Sequence, residues 1–576
     1  MKTKSIRIDR DIPMKTRDGI TLYADIYRPD NQEKHPAILV RTPYNKLNSA
    51  DSEYLSAVDG AFAGYAFVIQ DTRGRFASEG QFFPGGQEGQ DGYDTVEWVA
   101  SEPWCDGQVG MFGASYLGRN QWQTAMEAPP QLKAIAPQIT TAGPLSETRM
   151  SGHIEWEQSI SWFATMAVDM IDKLEKQGKD VSKMRESVTW ALFHPLEVSS
   201  YLPIKEIPYF NFEGISQGFQ PERVEAILAL FKTEEGLYWD YSRVKVPCFH
   251  ASGWYDLFSG SLFTNFLNMR RKGGSDLARK GQHAFCGPWV HARYLLPYAG
   301  DLHFGPLARG ISSFAKEHHI AFFDKYMKGE NIEIPAVRYF VIGLDQWKKA
   351  EEWPLSQTDW QRFYLHSGGR AQTASGDGLL SREDPANEPP DIFIYDPLNP
   401  VPTLGGRNLP TGRLVPGPID QTPIEKRHDV LCYTTPELKA DMEITGPLKL
   451  HLFASTSVRD TDFTAKLINV YPNGAAYNLA EGQIRARYRK SLLKPELVTP
   501  GEVVEYIIDL AATSVLFRKG HRIRLDITSS NFPRIDRNMN TGNPFAQDAK
   551  GIPAMQTIFH ESAYASYIDL PVIPEE

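Results

Sequence analysis

Residues 109–123, VGMFGASYLGRNQWQ, set an apolar run against a Gly-x-Ser turn and then a stretch of helical character. A strand that turns this sharply into a helix holds its central residue, Ser115, in a strained conformation with the hydroxyl standing clear, and the small neighbours Gly113 and Ala114 leave it room. A hydroxyl so presented can attack a carbonyl carbon, and the helix N-terminus beneath it stabilises the negative charge that develops. The competing reading is a tight turn with a capping serine. The usual elbow has Gly two places after Ser, whereas this chain has Leu117 there and Gly118 one place later.

A serine is a weak nucleophile and needs a base, itself oriented by an acid, in the chain order Ser, Asp, His if the fold is an α/β-hydrolase. The chain has 14 histidines, so position must choose among them. GWYDLFSG places Asp256 on the loop leaving the strand-like run 244–253, and GPWVHARY places His291 on the loop after the run 282–288. Both fall at the sheet edge of Ser115, where sites gather in open α/β sheets. His250 and His283 are the alternatives, placed within or at the start of those runs as core histidines would be. The pair His318-His319 lies in a helical stretch without HExxH or a carboxylate at ligand spacing, so it is not read as a metal site.

Acyl transfer also needs donors for the oxyanion. The Tyr116 N–H, next after the nucleophile, is one. Tyr44, in RTPYNK (41–46), lies in the loop after an early strand, where hydrolases place the second; its hydroxyl, with an ordinary pKa near 10, stays a donor at neutral pH. The alternative for Tyr44 is a buried aromatic at a strand end. None of this chemistry requires a metal or organic cofactor.

These residues can converge only if a sheet positions them. HPAILVRTPY (35–44), YAFVIQDTRG (65–74), QVGMFGAS (108–115) and LKAIAPQI (132–139) read as strands buried on both faces, and helical spacing separates them, as in GYDTVEWVASEPW (92–104) with its stripe of Val96, Val99, Tyr93 and Ala100. That alternation predicts a parallel sheet with crossover helices. From 145 to 240 the chain reads as helices (SISWFATMAVDMIDKLEKQ, PERVEAILALFKTEEG), a lid-like insertion before strands return at VKVPCFHASG (244–253) and QHAFCGP (282–288). Beyond 350, Pro and Gly clusters precede period-two alternation. HRIRLDITS (521–529) sets Ile523, Leu525 and Ile527 on one face and Arg522, Arg524 and Asp526 on the other, which predicts an antiparallel sandwich or jelly roll. The domain limits so read are 1–144 and 241–350 for the two parts of the α/β domain, 145–240 for the helical lid and 351–576 for the β domain.

At 576 residues the chain is too long for one core. A net charge of −10 gives no field to draw it onto phosphate backbones, so nucleic acid is not an expected partner. No apolar run of signal-peptide or membrane-span length appears, and the default expectation is a cytoplasmic protein with no membrane partner. Four dispersed cysteines write neither a zinc site nor a disulfide framework, and Cys248 and Cys286, within strand-like runs, read as packing.

RTPYNK, IQDTRGRFASEGQF (69–82), PWCDGQVGMFGASYLG (103–118), GWYD (253–256) and GPWVH (287–291), in this order, resemble the CocE/NonD family of serine hydrolases. The likeness runs on through RYFVIGLDQW (338–347), DVLCYTT (429–435), DTDFTAKLINVYPNG (460–474) and GHRIRLDITSSNFPRIDRNMNTG (520–542). It implies an α/β-hydrolase domain interrupted by a helical lid and followed by a jelly-roll domain. In that family the displaced Gly118 is normal. Ser115 is implied as nucleophile, Asp256 as acid and His291 as base, with Tyr44 and the Tyr116 N–H as the oxyanion hole. An aromatic acyl pocket is implied too, with Phe76 and Trp162 in two of its places. The resemblance points to a serine carboxylesterase for small-molecule esters with a hydrophobic or aromatic acyl group, acting through an acyl-enzyme, and by analogy to a homodimer. The alternative is an amidase or acylase on N-acyl bonds, β-lactam side chains included, or an X-prolyl dipeptidyl-peptidase-like activity. Recognition of a substrate ammonium would call for carboxylates near the nucleophile, whereas the elbow continues SYLGRN with Arg119.

Overall fold

The computed structural model describes residues 5–50, 54–145, 147–212, 231–310, 312, 315–410 and 414–574. Its first layer is a sheet of β1 (Ile6–Lys15), β2 (Thr21–Pro29), β3 (His35–Thr42), β4 (Ala66–Asp71), β5 (Cys105–Ala114), β6 (Leu132–Gln138), β7 (Cys248–Tyr255), β8 (Gln282–Val290), and, after a short hairpin of β9 (Tyr298–Ala299) and β10 (Leu302–His303), β11 (Val337–Val341) and β12 (Gln346–Ala350). The spatial order is β1-β2-β4-β3-β5-β6-β7-β8-β11-β12. From β4 through β11 every neighbouring pair is parallel. Every residue of β4, β7 and β8 is buried, as sheets covered on both faces demand.

On one face α2 (Glu88–Ser101), α3 (Tyr116–Met126), α8 (Ser259–Lys272) and α9 (Asp276–Lys280) contribute Val96, Val99, Trp122, Ala125, Met269 and Ala278 to the core. On the other, α1 (Ala57–Phe62) and α10 (Ala315–Met327) contribute Ala57, Ala61, Phe322, Phe323 and Met327. α2 begins four residues earlier than its spacing predicts. Its buried stripe is Asp91, Gly92, Thr95, Val96 and Val99, with Tyr93 and Ala100 only half-buried, because Gly92 is the residue that closes onto Thr124 of α3.

Between β6 and β7 lies the helical insertion, with α4 (Glu147–Met150), α5 (Trp156–Lys176), α6 (Ser182–Phe193) and α7 (Pro195–Ser200). Trp156, Ile160, Ala164 and Ile171 of α5 pack on Val188, Ala191 and Val198. Most of the predicted helix PERVEAILALFKTEEG falls on residues 213–230, outside the described residues.

The remaining strands, β13 (Asp359–His366), β14 (Leu379–Ser381), β15 (Asp391–Tyr395), β16 (Leu431–Thr434), β17 (Met442–Thr456), β18 (Asp462–Val470), β19 (Ala476–Arg485), β20 (Val504–Phe517), β21 (Arg522–Thr528), β22 (Ala554–Phe559) and β23 (Tyr567–Ile573), form the all-β jelly-roll domain. Apart from β14 on β16, its pairs are antiparallel. The polar face predicted for β21 is solvated only at Arg522: Arg524 and Asp526 are buried, and Arg524 pairs with Glu425 from the segment between β15 and β16.

Candidate active site

Ser115 leaves β5 with φ 60° and ψ −118°, a left-handed conformation for a residue with a side chain, and such strain costs about 1–3 kcal/mol. Its N–H donates to the Gln138 carbonyl at 2.9 Å, while its hydroxyl makes no capping bond to α3. The capping-serine reading therefore fails, and the hydroxyl is left for other use. The Tyr116 N–H is the first of α3 and has no intrahelical acceptor. The displaced glycine also has a physical cause. A Cβ at Gly118 would lie 2.8 Å from Thr140 Cβ and 3.0 Å from the Gln138 carbonyl oxygen, so α3 closes on β6 at that residue. Leu117, two places after Ser115, packs instead over Gly113, where a Cβ would lie 2.6 Å from Leu117 Cβ.

Two strand ends further along the sheet, Asp256 and His291 meet: His291 Nδ1 donates to Asp256 Oδ2 at 2.8 Å, with the acid fully buried and the imidazole 7% exposed. The other carboxylate oxygen accepts the Phe258 N–H at 2.7 Å, and the Phe258 ring stands edge-on to the imidazole at 5.8 Å. The acid is thus tied on both oxygens, which orients the imidazole and leaves Nε2 as its outward nitrogen. Among the described residues no hydrogen bond joins His291 to Ser115.

Tyr44, in the loop after β3, turns its hydroxyl to the Ser115 side chain. The Trp162 indole N–H of α5 donates to that hydroxyl at 3.0 Å, which leaves the hydroxyl proton free to point elsewhere. Burial pushes the Tyr44 pKa up from its ordinary value, so the group stays protonated. The loop is held from beneath by Arg75, whose Nε donates to the Pro43 carbonyl at 2.9 Å and whose Nη1 donates to the Met166 carbonyl of α5 at 2.7 Å. One buried guanidinium therefore fixes both the loop that carries Tyr44 and the helix that carries Trp162.

The sequence reading missed Arg75, although it stands in the DTRGRF stretch that carries the family likeness. It also missed Phe258, which follows directly on GWYDL. Trp162 lies in an apolar cluster with Tyr44, Phe82, Tyr116, Leu117, Met166 and Met170, its ring stacked on Tyr116 at 6.2 Å. Phe76 is placed differently. Its N–H donates to Asp169 of α5, and its ring faces the Arg75 guanidinium at 5.1 Å.

The rival histidines are structural. His250 bonds Gln282, and His283 bonds the Pro335 carbonyl and the Tyr326 hydroxyl; burial pulls each down to about 4. His319 is buried between Gln138 and the Ala315 carbonyl, while His318 meets Arg338. The four cysteines are free and buried, with their thiol pKa values raised by burial. Among the described residues, no group of three or more His, Cys, Asp or Glu side chains could hold a metal ion, and no helix is long and apolar enough to cross a membrane.

Residues 18–293 match the X-Pro dipeptidyl-peptidase (S15 family), and residues 333–569 match the X-Pro dipeptidyl-peptidase C-terminal non-catalytic domain. Over 584 aligned residues the chain is 37% identical to the cocaine esterase of Rhodococcus sp. (strain MB1 Bresler), covering 98% of this chain and 97% of that one. Among solved structures, an aminopeptidase from the marine sediment archaeon Thaumarchaeota archaeon is similar at a TM-score of 0.76 and 23% identity, covering 99% of this chain and 97% of that one. An α-amino acid ester hydrolase is similar at a TM-score of 0.71 and 22% identity, with 99% and 97% covered. At these identities the two structures share the fold.

Proposed function

The chain belongs to the CocE/NonD family of serine hydrolases, and from that premise and the geometry at the sheet edge we infer a serine carboxylesterase working through an acyl-enzyme. Ser115 Oγ attacks the ester carbonyl carbon while His291 Nε2 takes its proton, and Asp256 stabilises the imidazolium that results. The carbonyl oxygen, now an oxyanion, receives the Tyr116 N–H and the Tyr44 O–H. Collapse breaks the bond to the alcohol, which leaves with the proton held by His291. Water then adds to the acyl-serine by the same steps and releases the carboxylic acid.

One observation carries this reading: a strained serine whose hydroxyl does not cap its own helix, beside an uncommitted helix N–H and a tyrosine hydroxyl, on the sheet edge where a buried Asp–His pair stands. The aromatic and aliphatic cluster around Trp162 supports a hydrophobic acyl group. The four free, buried thiols support residence in the reducing cytoplasm. Family analogy supports a homodimer, and the acidic net charge speaks against nucleic acid as a partner.

A serine-directed fluorophosphonate probe tests the mechanism. Labelling of the wild-type protein and its loss in Ser115→Ala are expected; no labelling, or labelling that survives the substitution, overturns the assignment. Matched p-nitrophenyl esters and p-nitroanilides test the bond type, and anilides cleaved as fast as esters would make the protein an amidase.

A further inference from the structure

Arg119 stands one helical turn after Ser115 on α3. Its guanidinium lies within electrostatic reach of the Tyr116 side chain and of Glu88. It packs on the 83–87 loop, where a Cβ at Gly85 would lie 2.5 Å from Nη2 and 3.0 Å from Cζ. Its Nε is sealed from solvent with no acceptor, and among the described residues no hydrogen bond or ion pair engages its Nη groups. The nearby carboxylate is already committed: Glu88 Oε1 accepts the Tyr116 hydroxyl at 2.9 Å, and Oε2 accepts Arg41 Nη1 at 2.7 Å. A second cation, Arg149 of α4 in the lid, lies within electrostatic reach of Arg119 and is itself offset by Glu155 and Asp536.

Other buried arginines of this molecule end on carboxylates or carbonyls, as Arg41, Arg75 and Arg485 do. A guanidinium in such surroundings stays charged, and with Glu88 attracting it only at a distance and no hydrogen-bonded partner of its own it is expensive to bury. Burial lowers its pKa from the ordinary value, the mark of that cost. The missing partner is an anion that matches the planar fork, and a carboxylate does so with two parallel hydrogen bonds.

We propose that Arg119 is a carboxylate-recognition residue for the reaction at Ser115, so that the preferred ester bears a carboxylate bound by its open Nη groups. This deepens the esterase reading and rests on it. The carboxylate can sit on the acyl half or on the alcohol half, and two substrate pairs distinguish them. One compares p-nitrophenyl hydrogen glutarate with p-nitrophenyl pentanoate. The other compares the benzoate ester of 5-hydroxy-2-nitrobenzoate with p-nitrophenyl benzoate.

In one pair the carboxylated ester is expected to have at least tenfold the kcat/KM of its neutral counterpart. In Arg119→Met that ratio falls to near one, chiefly through KM, and Arg119→Lys retains an intermediate ratio because it keeps the charge without the fork. Should Arg119→Met fail to fold, Arg119→Lys carries the comparison, and an unaltered ratio there overturns the proposal. Turnover of neutral esters with no carboxylate preference in either pair overturns this proposal and leaves the esterase standing. Failure on all four esters overturns the esterase reading beneath it.

Discussion

Tyr44 is held by two neighbours and aimed at a third. Trp162 donates to its hydroxyl, Arg75 clamps the carbonyl of the preceding Pro43, and the hydroxyl faces Ser115. With its acceptor side occupied by the indole and its pKa raised by burial, the hydroxyl is poised as a donor to a new negative charge. Tyr44→Phe removes that donor while keeping the ring. The loss expected for one oxyanion donor is about 2.7–4 kcal/mol, a 10²- to 10³-fold fall in kcat with little change in KM. Steady-state kinetics on a p-nitrophenyl ester measures it, and an unchanged kcat removes Tyr44 from the mechanism. Tyr44 was legible because its motif sits after a strand in the order of a known family. Its indole partner was not, since Trp162 is 118 positions away and only folding brings it near.

The elbow is an element-scale device, and its glycines separate two opposing effects. Replacing Gly by Ala inside a helix is ordinarily favourable by about 1 kcal/mol. At Gly118 the added Cβ meets Thr140 at 2.8 Å and the Gln138 carbonyl oxygen at 3.0 Å, and overpacking of this kind costs about 1–3 kcal/mol. The steric term wins on these magnitudes. Gly118→Ala is expected to lower the melting temperature and slow fluorophosphonate labelling, because α3 must lift from β6 and carry Ser115 with it. A melting temperature above wild type would show that α3 has room there. The element-scale misreading of β21 has the same origin. Alternation marked two faces correctly, but a local pattern does not reveal that a distant segment brings Glu425 against Arg524 of the charged one.

At the scale of the whole molecule, the β domain holds the lid over the site. The segment entering α5 pairs with the β domain through the Ile154 N–H to Asp536 Oδ1 at 2.7 Å and the Trp156 N–H to the Arg534 carbonyl at 2.8 Å. Around it lies a buried charge cluster in which Asp462 of β18 accepts from Arg485 and meets His153 of the lid at 2.9 Å. Although burial opposes its ionisation, Arg485 and His153 hold the Asp462 carboxyl well below the usual carboxylate range. A depressed pKa of this sign stabilises the fold above the unfolded value, about 3.9, and the contribution is lost as pH falls below it. Asp462→Asn is therefore expected to melt well below wild type at pH 7, with the gap narrowing progressively as pH falls below about 4. A gap that does not change with pH would mean that Asp462 contributes shape alone.

The sequence by itself determined the strand–helix alternation, the elbow at Ser115, the acid and histidine at strand ends and the family, because these are written in local periodicity and in motifs that keep their order along the chain. Tertiary structure alone decided that α3 needs its glycine at 118, that Trp162 and Arg75 govern Tyr44, that β21 is buried on both faces beyond Arg522 and that Arg119 is left without a hydrogen-bonded partner among the described residues. Each of those depends on atoms brought within a few ångströms from distant parts of the chain, and local spacing holds no record of such meetings.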